Sequence, residues 1–208
     1  LLCHGERGQP RSPAPFQRMV NADGSLLGTV FCPLDPGFQH YVADGIRRIA
    51  TAAPDFILTD DDVRLVHGAA VSKGCFCPLH LDLFRQRSGR AFSREALLET
   101  AACTGPEAEA IRRHWHESEE ESLLQLGRVI RTAVDEINPS LRAGVCVNPS
   151  LILLNDRLSR TMAGKNRPFI RLAGACYQES YNKRFPYRID FILRQRRLLP
   201  ETTEVLLE

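Results

Sequence analysis

Apolar positions along this chain fall into two kinds of run. Over 36–53, Phe38, Tyr41, Val42, Ile46 and Ile49 recur at helical spacing. They follow Asp35-Pro36, a pair that starts helices because Asp caps free backbone N–H groups and Pro suits the first turn. Leu79, Leu83 and Phe84 predict a second helix over 78–87, and Ser93 with Glu95 in the first turn predicts a third, to about Cys103. The clearest helix runs through Ile111, Trp115, Leu123, Leu126, Ile130, Ala133 and Ile137 and stops at Asn138-Pro139. Further helices are expected over 151–162 and 187–198, the last with Phe191, Ile192 and Leu198 on its inner side. Residues 1–30, rich in Gly, Pro, Ser and Arg with little periodicity, predict a loop with at most a short strand near Leu1-Leu2.

The second kind of run is continuous and apolar, with no period of two. Phe56 to Asp62, Ala143 to Asn148, Pro168 to Ala173 and Val205 to Glu208 read as buried strands. Strands of this kind alternating with helices predict the α/β class, a parallel sheet covered by helices. Two architectures fit. A doubly wound open sheet is one, although no Gly-x-Gly-x-x-Gly turn follows any strand. The other is a (β/α)8 barrel, which needs about 250 residues, so this chain would supply its middle and later units.

At 43% hydrophobic, 208 residues can bury a sizeable core. A formal charge of +2, from 27 basic and 25 acidic residues, gives no field to attract nucleic acid or an anionic membrane. No run approaches the roughly eighteen apolar residues of a membrane span. The chain begins without Met or a signal peptide and stops inside an apolar run, so it reads as a piece of a longer protein. Seven cysteines, an odd number with no regular disulfide spacing, predict a reduced, cytoplasmic setting.

Two clusters carry candidate chemistry. Asp60, Asp61 and Asp62 close the first strand, with Arg64 just beyond, and packing does not account for three adjacent carboxylates. Crowded like charges push one carboxyl toward its protonated form, while Arg64 keeps a neighbour ionised. The bland alternative is a capped, solvated turn. The second cluster, Cys75-Phe76-Cys77-Pro78-Leu79-His80, sets three zinc-type ligands on a loop entering a helix, with Cys32 the best fourth. Its alternative is a set of ordinary buried thiols with a capping His. His114 and His116 read as a solvated helix face.

Cys32-Pro33 ahead of a helix, a strand ending in acidic residues, and Cys75-Phe76-Cys77-x-x-His80 running into Leu81-Asp82-Leu83-Phe84 together resemble the family 42 glycoside hydrolases, β-galactosidase-like barrel enzymes, and related barrel hydrolases. That likeness implies an incomplete (β/α)8 barrel, about strands 3 to 7, as one catalytic domain over 1–208 with a zinc-binding insertion around 32 and 75–80. It implies a structural Zn2+ on Cys32, Cys75, Cys77 and His80, where His80 replaces the family's third cluster Cys, and no cofactor for catalysis. It also implies cleavage of an O-glycosidic bond by two carboxyl groups, with Asp62 as acid/base where the family has Glu, Asp61 orienting the substrate and Glu208 as nucleophile. Asp60, Arg64, Asn148, Tyr177 and Glu179 are then the candidate carbohydrate contacts, and the likeness extends to a homo-oligomer, since trimers occur in the family. Two other readings stay open: a metal-dependent hydrolase in which Asp60, Asp61 and Asp62 hold a divalent cation with His67, and a non-catalytic carbohydrate-binding barrel.

Overall fold

The computed structural model describes residues 16–60, 63–65, 74–147, 152–172 and 185–207. These divide into two compact units, one from 1–41 and 62–126, the other from 42–61 and 127–208.

The second unit is built on a parallel sheet of four strands, β3 (Phe56–Thr59), β4 (Arg142–Val147), β5 (Phe169–Leu172) and β6 (Glu204–Leu207), in the order β3-β4-β5-β6. Thr59 lies opposite Val145, Val147 opposite Leu172, and Leu172 opposite Leu207. The strands follow one another without reversal, so the described sheet has no switch point of the doubly wound kind. All of β4 after Arg142 is buried, as a strand covered on both faces must be. Successive side chains point to opposite faces, so Ile57, Ala143, Val145, Ile170 and Leu172 share one face and are all buried.

The other face is mixed. Arg142 pairs with Glu204 at 2.8 Å and lies 4.7 Å above the ring of Phe169, which meets Phe56 edge-on at 5.6 Å. Gly144 makes room for that ring, since a Cβ there would come within 2.8 Å of it. Helix α5 (Ile152–Ala163) packs on β4 and β5. Buried Arg131, near the end of α4 (Pro106–Asp135), donates to the carbonyls of Leu141 at 3.0 Å and Met162 at 3.2 Å, tying the start of β4 to the end of α5. Helix α6 (Phe185–Leu198) leads toward β6.

The first unit begins with a hairpin where a loop was expected. Strands β1 (Arg18–Val20) and β2 (Leu26–Phe31) pair antiparallel, joined by a turn in which Gly24 adopts φ +87° and its N–H donates to Asn21 O at 3.0 Å. The Asp23-Gly24 pair is a hairpin-turn signal that the surrounding Gly, Pro and Ser obscure. Helices α2 (Pro78–Ser88) and α3 (Arg94–Ala102) follow, α3 capped as expected by Ser93, whose side chain accepts from Ala96 N at 3.2 Å. They pack with the first part of α4 around Phe76, Phe84, Leu97 and Ile111.

Helix α1 (Pro36–Thr51) starts where Asp35 predicts, its carboxylate accepting from Phe38 N at 2.7 Å. Its buried positions are Phe38, Ala43, Ile46 and Ala50, while Tyr41 and Ile49, expected inside, are exposed. The inner stripe alternates large and small side chains, and Tyr41 and Ile49 fall outside it. Leu198, also expected inside, is exposed at the end of α6. No described helix is long and apolar enough to cross a membrane.

Candidate metal centre

Hairpin β1–β2 positions the two ligand-bearing segments. Cys32 directly follows β2, and its N–H donates to Gln17 O at 2.8 Å, while the N–H of Phe76, between the two other cysteines, donates to Val20 O at 2.8 Å. Cys77 is the N-cap of α2 and Pro78 begins it, so His80 falls in the first turn, its N–H on Cys77 O at 3.1 Å. Local backbone rules thus turn a short sequence spacing into a convergent set.

Cys32, Cys75, Cys77 and His80 each present one ligand atom, and these atoms lie within 4.8 Å of one another. His80 Nδ1 is 3.3 Å from Cys32 Sγ and 3.5 Å from Cys77 Sγ, and the two sulfurs are 3.5 Å apart. Zinc bonds of about 2.3 Å to sulfur and 2.0 Å to nitrogen, at tetrahedral angles, separate ligands by about 3.5 to 3.8 Å. The spacing fits such an ion. All four residues are 0% exposed, and Cys77 makes no side-chain cap to α2, so the plain buried-thiol alternative leaves their convergence unexplained.

Three thiols this close cannot each ionise without a cation. Hydrogen bonding from Cys32 and Cys77 lowers Cys75, and the same bonding to Cys75 raises Cys32. At Cys77 the bond with Cys32 lowers the thiol, but the one to Cys75 and burial push it up to about 12. A divalent ion would replace these shared protons, since the thiolate is the metal ligand.

Beside the cluster, Trp115 stacks on Phe76 with ring centroids 4.8 Å apart. A cavity of about 260 Å³ opens there, lined by Phe76, Leu97, Leu98, Trp115 and Glu119 among others. Burial pushes the Glu119 carboxyl above its usual range, opposed by hydrogen bonding with His116. His116 itself is exposed and pairs with Glu119 and Glu120 across one helix face, as expected of a solvated position.

Among the described residues this Cys3His set is the one group of metal-type ligands so arranged. Of the expected carbohydrate site, Asp60 is exposed at the end of β3 and Arg64 is partly buried. Asp61, Asp62, His67, Asn148, Tyr177, Glu179 and Glu208 lie outside the described residues. Sequence reasoning missed the hairpin that sets Cys32 and Cys75–Cys77 in place, and the turn pair Asp23-Gly24 was its signal. No family model, curated protein or solved structure matches the chain.

Proposed function

We propose that this chain is the zinc-bearing part of a (β/α)8 glycoside hydrolase similar to family 42, cleaving O-glycosidic bonds with retention. The observation that carries it is the conjunction of four parallel strands in unbroken order with a convergent Cys3His set whose ligands bracket β3 in the chain. Right-handed crossovers between strands in such an order bring every connecting helix to one face, as a barrel requires. The mixed face of Arg142, Phe169 and Glu204 suits a barrel interior, whose lower layers are filled by side chains.

Parallel strands bring their carboxyl ends to one edge, where ligands bind in such folds. From those ends the chain continues into Asp60-Asp61-Asp62, Asn148 and Glu208. Strands β3 and β6 flank β4 and β5, and closure of the sheet into a barrel would bring their ends toward the about 5 to 5.5 Å carboxyl separation that retention requires. Asp62 donates the proton to the leaving oxygen and Glu208 attacks the anomeric carbon; Asp61, Asp60, Arg64, Asn148, Tyr177 and Glu179 hold the substrate. Cys32, Cys75, Cys77 and His80 would fill the coordination of a bound zinc and leave no open position, so the ion would serve the fold and not the reaction.

Hydrolysis of a panel of aryl glycosides by the purified chain tests this reading. Asp62→Asn and Glu208→Gln are each expected to lower kcat at least a hundredfold, on the scale of general acid–base catalysis. A chain that hydrolyses none of the panel and binds no oligosaccharide, or variants as active as the parent, would reject it. Activity abolished by EDTA in a still-folded chain and restored by Mg2+ would favour the aspartates as metal ligands instead.

A further inference from the structure

Three buried polar atoms next to the cysteine cluster, on His80, Glu119 and Trp115, have no hydrogen-bond partner. His80 directs Nδ1 at Cys32 and Cys77, which turns its other ring nitrogen away from the cluster. That nitrogen, Nε2, is buried and unpartnered. Glu119 of α4 has its carboxylate 14% exposed, with Oε2 3.7 Å from His116 Nδ1 and Oε1 buried and unpartnered.

Gly74 places that carboxylate beside the ligand loop. It directly precedes Cys75, and a Cβ at this position would sit 1.9 Å from Glu119 Oε1. Its φ of +123° also disfavours any side chain, so the backbone here is shaped to let the carboxylate approach. An unmade bond at a buried donor or acceptor is costly, and one bond between His80 Nε2 and Glu119 Oε1 would satisfy both.

A neutral imidazole that gives its Nδ1 lone pair to a cation carries its proton on Nε2. Metal-bound histidines generally pass that proton to a carboxylate or carbonyl, which fixes the ring and strengthens the ligand. We propose that Glu119 accepts a hydrogen bond from His80 Nε2–H when the Cys3His site holds its metal, making Glu119 a positioning residue of that centre. The proposal rests on the zinc reading above.

The test titrates the chain with Zn2+ against a chromophoric chelator, for the parent and for Glu119→Ala, Glu119→Asp and Glu119→Gln. The Co2+-loaded forms give the exchange rate of the paramagnetically shifted His80 Nε2 proton by NMR. All are expected to take up one ion. Glu119→Ala weakens affinity about ten- to a hundredfold. Glu119→Gln, whose amide oxygen still accepts, weakens it less and keeps the proton in slow exchange, whereas Ala and Asp release it to fast exchange. A parent that binds no zinc rejects the zinc reading, and this proposal with it. A parent that binds zinc while every variant matches it in affinity and proton exchange overturns the role of Glu119 alone. Should Glu119→Ala and Glu119→Asp fail to fold, the parent decides: a Nε2 proton exchanging as fast as that of free imidazole overturns the bond.

Discussion

The two compact units keep their interiors out of water by different means. Around the parallel sheet, Ile57, Val145, Val147, Phe169, Ile170, Leu158 and Met162 each gain about 1.5 to 3 kcal/mol on leaving water, alongside buried Arg131, Asn155, Asp156, Ser159 and Thr203, which are held by hydrogen bonds and ion pairs. In the hairpin unit, four of the most buried residues are Cys32, Cys75, Cys77 and His80, beside an apolar cluster of Phe76, Phe84, Leu97 and Ile111. Thiols and an imidazole contribute little of that kind. A structural zinc ion would contribute about 10 to 16 kcal/mol of apparent binding energy at neutral pH, more than any one of these side chains. Among the described residues, only the hairpin unit carries a convergent set of metal-type ligands.

Removing the metal should separate the units most sharply. Chelation, or Cys75→Ser, is expected to red-shift the emission of Trp115, the chain's one Trp, as its stack on Phe76 loosens. Amide exchange protection over β4 should persist. Equal loss of protection in β4 would erase the distinction. A smaller effect in the opposite direction is expected from Phe169→Ala, at 1% exposure a full cavity mutation, costing about 3 to 5 kcal/mol by denaturant unfolding. Zinc affinity should stay unchanged, and a parallel fall would show a shared interior.

The smallest effect belongs to the surface. Hydrogen bonds from Arg47, at 2.5 and 3.3 Å, hold the Glu136 carboxyl below its ordinary value of 4.5. The unfolded chain therefore takes up this proton first as pH falls. The stabilisation is present above 4.5 and is lost as pH drops through the lower folded value. Glu136→Gln should lower the melting temperature slightly at neutral pH, with the two curves converging in acid; a constant gap would assign the effect to packing.

The sheet was legible because its signal is local and redundant. Phe56-Ile57-Leu58-Thr59 and Arg142 to Val147 are apolar runs flanked by breakers, and the caps Asp35 and Ser93 act through backbone groups three residues away. The four ligands were legible from residue type, since few other roles bring three Cys and a His so near a turn. The hairpin was not, because its two short strands sit in a segment whose composition argues for loop. Glu119 was not either: on α4 it is one of four acids among 117–121, and only its contact with Gly74, far away in sequence, sets it apart.

The Thr59 hydroxyl donates to Gly144 O at 3.4 Å, joining β3 to β4 across 85 residues of chain. Strand β5 reaches β4 over the single crossover helix α5, and β6 reaches β5 over the stretch containing α6. Loop-closure entropy grows with the logarithm of the length spanned, so pairing β3 costs about 1 kcal/mol more than pairing β5. During folding, β4, β5 and β6 can zip in succession as neighbours, and β3 joins a sheet already begun. Of the two crossovers to β4, the one to β3, the strand that leads into the aspartates, therefore carries the larger closure cost.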